Sequence, residues 1–418
     1  MNDPTFDPTP PVNVTMDDPV LVDQAHPTKI DPAPYAIPEV CMRWARYRMP
    51  KVFRMPDGTI ALSYSMAVDH YYDQGRVSPY FVSKDEGKTW VKAEWPHPGL
   101  SGMHPVVSKI FNGEYYTIPA PTGIRLDEFP MPAPDENPRR AVNRFAYRLN
   151  ESPKEVQDFY KDVKAMRWTP KTGWAREQAV WDHEGQYIWA YDDKPHNIPG
   201  IWGQKVYFET PILRLGDELM IAEYWSQYEN PDGSVPYNFN TYLLVSSDNG
   251  RSWKRRSTMV DFKHRPAYEP TIAFNREGEL VCVVRTDSLL RPDGKYDPPP
   301  CMHIAYSKDK GRTWTDPKPL LGYGVFPQLL LLDNGVMVLS YGRSPGTKVS
   351  FSLDGGHTWT KHWFIIDEEG KSTSCGYTSL LPLGRDSFLL AYGDIHCKNA
   401  AGEECKTILT RKITVNPV

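Results

Sequence analysis

Apolar and polar positions alternate in short runs along most of this chain, and the runs come in pairs joined by a tight turn. The segment YEPTIAFNREGELVCVVR, Tyr268 to Arg285, is the clearest example. It predicts a strand over Pro270 to Asn275, a Glu277-Gly278 turn and a second strand over Leu280 to Val284. Glu269 then stands just before the first strand and Arg285 at the exit of the second, which puts both at one end of the hairpin. The same layout returns from Arg48, Met103, Glu209, Val325 and Gly376, so six copies are present in all.

A second pattern follows the hairpins. SKDEGKTW (Ser83 to Trp90), SSDNGRSW (Ser246 to Trp253), SKDKGRTW (Ser307 to Trp314) and SLDGGHTW (Ser352 to Trp359) all fit S-x-D-x-G-x-[ST]-W. The Asp carboxylate and the hydroxyls can bond a turn backbone, Gly supplies a positive φ, and Trp can wedge against a neighbouring sheet. These Asp residues are therefore expected to hold turns and not to do chemistry. Hairpin plus octapeptide gives about four strands, the content of one propeller blade. The expected fold is all-β, a six-bladed β-propeller over residues 41–418. Residues 1–40 are Pro-rich and form an arm, whose segment Pro19 to Gln24 could add a strand and close the ring.

The wide gap between the second and third copies predicts an insertion in blade 2, at about 122–185. It holds a Pro-rich loop, Asp127 to Arg140, and a helix over Ser152 to Met166 with Ser152 as N-cap and Pro153 at its first position.

Composition narrows the function. The chain has 418 residues, 40% hydrophobic and 12% aromatic, with a net charge of -4 from 48 basic and 52 acidic residues. Neither nucleic acid nor an anionic membrane is an expected partner. No apolar run reaches membrane-spanning length, and the polar start MNDPTFDPTPP lacks the regions of a signal peptide. The expected location is cytoplasmic, or secreted or periplasmic if a leader was removed. Six cysteines without C-x-x-C spacing make neither a metal site nor a disulfide scaffold; Cys397 and Cys405 flank a hairpin loop and could bridge or stay free. No metal and no cofactor is expected, since the octapeptides lack the terminal Glu of a calcium loop.

In a propeller, equivalent hairpin ends face one central mouth. Before the first strands come Arg48, His104, Glu209 with Thr210, Glu269, Phe326 and Tyr377; after the second strands come Arg285 and Arg343. One Arg at a strand end is usually a solvated charge. Three gathered at one mouth would repel one another without an anion to bind.

With these residues in place, the chain from about Arg48 onward resembles the sialidase (neuraminidase) superfamily. The octapeptides are similar to its Asp-boxes, Arg48-Met49-Pro50 to its R-[IL]-P motif, Glu269-Pro270 to its Glu-bearing strand, Arg285 and Arg343 to its further triad arginines, and Gly376-Tyr377-Thr378-Ser379-Leu380 to its tyrosine segment. The resemblance implies a retaining exo-glycosidase acting on terminal sialic acid or a related ulosonic acid of a glycan. Arg48, Arg285 and Arg343 would grip the sugar carboxylate, Tyr377 would attack as nucleophile with Glu269 as its base, and Asp73, or alternatively Asp69, would be the general acid. Ser65-Met66-Ala67 departs from the family, which often carries a further Arg there. Glu223, Tyr224 and Trp225, at the exit of the third hairpin, are candidate pocket walls beside His104 and Glu209. Two other readings stand beside this one: a propeller lyase or hydrolase for uronate-capped polysaccharide, and a non-catalytic carbohydrate-binding propeller.

Overall fold

The computed structural model describes residues 6–7, 11–29, 46–66, 78–101, 106–119, 123–136, 145–192, 200–205, 210–236, 239–262, 265–287, 301–320, 322–342, 346–366 and 376–418. Among these the chain is nearly all strand, with one short α-helix, Lys154–Lys161.

The alternating runs pair as antiparallel four-stranded units. The first comprises Arg48–Arg54, Ile60–Ser65, Tyr80–Ser83 and Val91–Ala93. The second comprises Ser108–Lys109, Tyr115–Thr117, Val163–Thr169 and Gly173–Trp181, and the third Leu213–Leu215, Glu218–Glu223, Thr241–Ser246 and Ser252–Val260. The fourth runs from Ala267–Phe274 through Leu280–Thr286 and Met302–Ser307 to Lys318–Leu320. The fifth runs from Val325–Leu331 through Met337–Gly342 and Thr347–Ser352 to Trp363–Ile366. The sixth takes Thr378–Pro382, Ser387–Lys398 and Glu404–Pro417 from the end of the chain, and Glu404–Pro417 also pairs with Val12–Met16 and Val20–Ala25 from its start.

The first strands of all these units line one cavity of about 460 Å³, so the units stand around a common axis. Side-chain hydroxyls tie neighbouring first strands together: Val52 N donates to Ser379 Oγ, Ile212 N to Ser108 Oγ and Leu329 N to Thr271 Oγ1, all at 3.0–3.1 Å. The apolar core lies between units, where alternate residues of adjacent sheets meet, as Leu243, Met220, Cys282 and Ala305 do between the third and fourth.

The octapeptides form identical turns. In the first, Ser83 Oγ donates to Asp85 Oδ1 at 2.8 Å and accepts from Gly87 N at 2.8 Å, while Thr89 donates its N–H and hydroxyl to the Asp85 carboxylate at 2.9 and 2.6 Å. Asp248, Asp309 and Asp354 repeat this. The Trp residues then reach other units: Trp90 Nε1 donates to Thr410 Oγ1 and Trp314 Nε1 to Ser257 Oγ, both at 3.0 Å.

Two details differ from the periodicity. The helix starts after Pro153, and Ser152 Oγ donates back to Arg148 O at 2.9 Å instead of capping it; Val163–Thr169, expected to begin in the helix, is a strand. The added structure is also more than a loop and helix. Gly123–Arg125, Asp135–Glu136, Phe145–Arg148, Gln186–Asp192 and Ile201–Gln204 form a further sheet, joined by Gln227–Tyr228 from the third unit, so its strands come from both sides of the 163–181 hairpin. Cys397 and Cys405 face each other across paired strands as free thiols.

Candidate active site

Three first strands open with a residue before proline held at positive φ: Met49 at 54°, Glu269 at 47° and Phe326 at 47°. A residue before proline normally prefers extended backbone, and each of these sits at a break in strand register. The bulge re-aims the side chain. Glu269 therefore lies inside the strand Ala267–Phe274, not ahead of it.

That carboxylate is the centre of the site. It is 5% exposed, yet both oxygens are engaged. Oε1 accepts from the Tyr377 hydroxyl in a short hydrogen bond and from Arg285 Nη1 at 3.1 Å; Oε2 accepts from Phe326 N at 2.8 Å. The Tyr377 ring stacks on Phe326 with centroids 4.6 Å apart, and Lys51 Nζ lies 3.8 Å from the Phe326 ring centre. A phenol hydrogen-bonded to a buried carboxylate is the arrangement a tyrosine nucleophile and its base require.

Arg285 faces Tyr268 across the hairpin, its guanidinium 5.7 Å from that ring. Its other edge is taken by Asp287, which accepts from Nη2 at 3.0 Å and from Nε at 3.3 Å; Tyr323 donates its hydroxyl to the same Asp287 carboxylate at 3.2 Å. Burial alone would lower the Arg285 pKa, but the Glu269 and Asp287 carboxylates outweigh it and hold the group well above its ordinary value. Three of the five N–H donors of the guanidinium are thus committed to protein carboxylates.

Arg48 is buried at the start of the first unit, opposite Ser65. By register it corresponds to Tyr268 and Val325, whereas Met49 and Phe326 correspond to Glu269. The position equivalent to Arg285 in the fifth unit is Gly342, opposite Val325. Arg48 and Arg285 therefore do not occupy symmetry-equivalent positions of their units. A Cβ on Gly342 would fall 2.0 Å from Gly376 O, so the strand leading to Arg343 passes directly against the residue before Tyr377. Arg343, Asp69, Asp73, His104 and Glu209 lie outside the described residues.

Glu223 and Trp225 belong to the adjoining wall. Glu223 is wholly buried, and desolvation raises its carboxyl well above the usual range; Oε1 accepts from Ser226 N at 2.5 Å, while Oε2 has no partner among the described residues. Trp225 packs on Tyr224 with centroids 4.7 Å apart, and Phe239 bridges Tyr224, Tyr268 and Trp189 of the added sheet. The added sheet thus contributes to the aromatic wall that supports Arg285 through Tyr268.

Sequence reasoning did not single out Asp287, Tyr323 or Lys51. For Asp287 a signal existed: residues i and i+2 leave a strand on one face, and Arg285-Thr286-Asp287 has that spacing. Tyr323 and Lys51 come from other units and carry no local signal. Among the described residues no cluster of His, Cys, Asp and Glu could hold a metal ion, and no helix is long and apolar enough to cross a membrane.

No family model matches the chain, and no curated protein matches it in sequence. Solved structures do resemble it. A protein of unknown function from Dyadobacter fermentans DSM 18053 is 16% identical, with a TM-score of 0.60 over 96% of this chain and 99% of its own. Penicillium chrysogenum alpha-L-arabinanase, solved with arabinobiose, is 15% identical, with a TM-score of 0.50 over 94% of this chain and 98% of its own. The Hadza microbial sialidase Hz136 is 14% identical, with a TM-score of 0.49 over 89% of this chain and 65% of its own. The first two establish a shared fold over nearly the whole length.

Proposed function

We propose that the protein is a retaining exo-glycosidase of sialidase type, built as a six-bladed β-propeller with four Asp-boxes and closed by its N-terminal strands. The observation that carries this reading is the Tyr377–Glu269–Arg285 constellation at one end of the ring. Glu269 takes the phenolic proton as the Tyr377 oxygen attacks the anomeric carbon, and the bond to the leaving oxygen breaks as Asp73 or Asp69 protonates it. Water then cleaves the tyrosyl–sugar bond, its proton passing back to that acid's carboxylate while Glu269 returns its proton to the departing Tyr377 oxygen. The two displacements give net retention. A phenol suits an anomeric carbon that already bears a carboxylate, because it attacks without bringing a full negative charge. Arg48, Arg285 and Arg343 hold that carboxylate, and Glu223, Trp225, His104 and Glu209 are assigned to the pocket. The expected partner is an acidic-sugar glycan; neither nucleic acid nor a membrane is assigned.

A second reading rests on Asp287. Because it occupies one edge of Arg285, fewer donors are left for a substrate carboxylate, which favours a glycosidase of a neutral sugar using the same Tyr377 and Glu269. The discriminating experiment compares hydrolysis of an aryl α-sialoside with that of an aryl α-L-arabinofuranoside, followed by trapping with the matching fluorinated sugar and mass mapping of the labelled peptide. The sialidase reading requires turnover of the sialoside and a label on Tyr377. Turnover of the arabinofuranoside alone selects the neutral-sugar reading, and a label elsewhere removes Tyr377 as nucleophile.

A further inference from the structure

Between the first and second units lies a groove of about 420 Å³, at the end of the sheets that carries the octapeptide turns. Asp57, on its edge, sits in the turn between Arg48–Arg54 and Ile60–Ser65, so a full strand length separates the groove from the Arg48 end. The walls are aromatic. Trp168 and Trp174 oppose each other near the tip of the 163–181 hairpin, both half-buried, and Tyr115 meets Trp168 edge-on at 5.8 Å. Tyr80 packs against Trp95 with centroids 4.4 Å apart. Glu94 and Lys84 join Asp57 as exposed charges along the rim.

The fold uses only part of the hydrogen-bonding capacity of Tyr80 and Asp57. Tyr80 is 5% exposed, lines the groove, and its hydroxyl has no hydrogen-bond partner among the described residues. Burial and the nearby Asp57 carboxylate push that hydroxyl up to about 12, so it stays a neutral donor. Asp57 spends Oδ1 on Thr59, accepting from its N–H at 3.0 Å and its hydroxyl at 2.7 Å, and the fold's bonds to this carboxylate fall on that oxygen.

We propose that this groove is a second carbohydrate-binding site, which holds the neutral sugar rings of an oligosaccharide and takes no part in bond cleavage. Flat aromatic walls suit the C–H faces of sugar rings, and a phenol donor beside carboxylate acceptors suits vicinal hydroxyls, which both give and take hydrogen bonds. The volume lies in the range of small-ligand pockets. Two carboxylates against one ammonium on the rim repel an acidic sugar, so the ligand differs in charge from the substrate of the sialidase reading.

The test is titration of the full chain with cellohexaose, xylohexaose and linear arabinohexaose, followed by tryptophan fluorescence and calorimetry. At least one saturates, and the Trp168→Ala/Trp174→Ala double variant weakens it by about tenfold or more. Binding is unchanged in Tyr377→Phe, which keeps the groove intact. Because the double variant removes packing, Glu94→Ala and Asp57→Asn are measured beside it; with thermal unfolding unchanged, each weakens the same ligand several-fold. The proposal is overturned if none of the three saturates, if the tryptophan and rim variants bind like the parent, or if hexagalacturonate binds more tightly than every neutral chain.

Discussion

The Tyr377 hydroxyl and the Arg285 guanidinium converge on the same oxygen of Glu269, although 108 and 16 residues respectively separate them from it in the chain. Sharing one oxygen makes the carboxylate both the acceptor of a phenolic proton and the partner of a fixed positive charge. Glu269→Gln keeps the shape but removes the base. We expect kcat to fall by about 10²–10⁴ with a smaller change in KM, and Tyr377→Phe to fall at least as far. Activity within a few-fold of the parent in either variant would remove that residue from the chemistry.

Asp287 fixes the orientation of Arg285 through Nε and Nη2. Asp287→Ala frees the fork to swing, so substrate binding suffers first: KM rises more than kcat falls. Steady-state kinetics on the trapped substrate class decide it. An equal loss in kcat and kcat/KM would instead place the residue in transition-state stabilisation.

Gly342 and Gly376 touch backbone to backbone at the base of the tyrosine segment. A methyl group there forces the strands apart, at a cost of about 1–3 kcal/mol. Gly342→Ala should lower the urea midpoint by a matching amount and depress turnover further than that loss explains, because the shift moves Tyr377 relative to Glu269. A variant that is destabilised but fully active would show that the contact serves the fold alone.

Arg167 illustrates a buried ion network with no part in the proposed chemistry. It donates to Glu177 through Nε at 2.8 Å and Nη2 at 2.6 Å, to Glu114 through Nη1 at 2.6 Å, and to Asn249 O at 2.8 Å, joining the second unit to the turn of the third. Arg167→Ala strands two carboxylates and should cost about 3–5 kcal/mol in chemical denaturation. Replacing Arg167, Glu114 and Glu177 together by apolar residues should cost much less.

Acid stability should fall in two steps. Burial, first of all, pushes His303 down to about 4 from an ordinary 6.5. The unfolded chain therefore binds the extra proton first, and stability is lost as pH drops from 6.5 toward 4. Thr89 hydrogen bonds lower Asp85 to about 2 from 3.8, and the Asp309 carboxyl is lowered in the same way by Thr313. That contribution is present above 3.8 and disappears as pH falls toward 2. His303→Gln should flatten the upper window of a pH-resolved unfolding series and leave the lower one. Loss of both slopes, or of neither, would contradict the assignment.

The repeats were legible because each alternates cleanly and four of the six end in the same octapeptide, whose Ser, Asp and Thr or Ser close a local turn. The Glu269–Arg285 pair was legible too, because the start of the first strand and the exit of the second lie at the same end of one hairpin. What periodicity missed is non-local or irregular. The bulges at Met49, Glu269 and Phe326 break the two-residue alternation at the residues of interest. The added sheet joins Phe145–Arg148 to Gln186–Asp192 across an intervening hairpin, a pairing that no local pattern encodes. Ser152 had the composition of an N-cap, but the preceding turn claims its hydroxyl.

Gly173–Trp181 and Ser252–Val260 run side by side in parallel, Val180 opposite Ser252 and Trp181 opposite Trp253. The outer edges of the second and third units are thereby stitched by main chain, a strand pairing that the described residues show between no other two of the six units. Under a pulling force, or in exchange of amide protons with deuterated solvent, this pair should let go as a single block and later than its neighbours. The ring would then open elsewhere first.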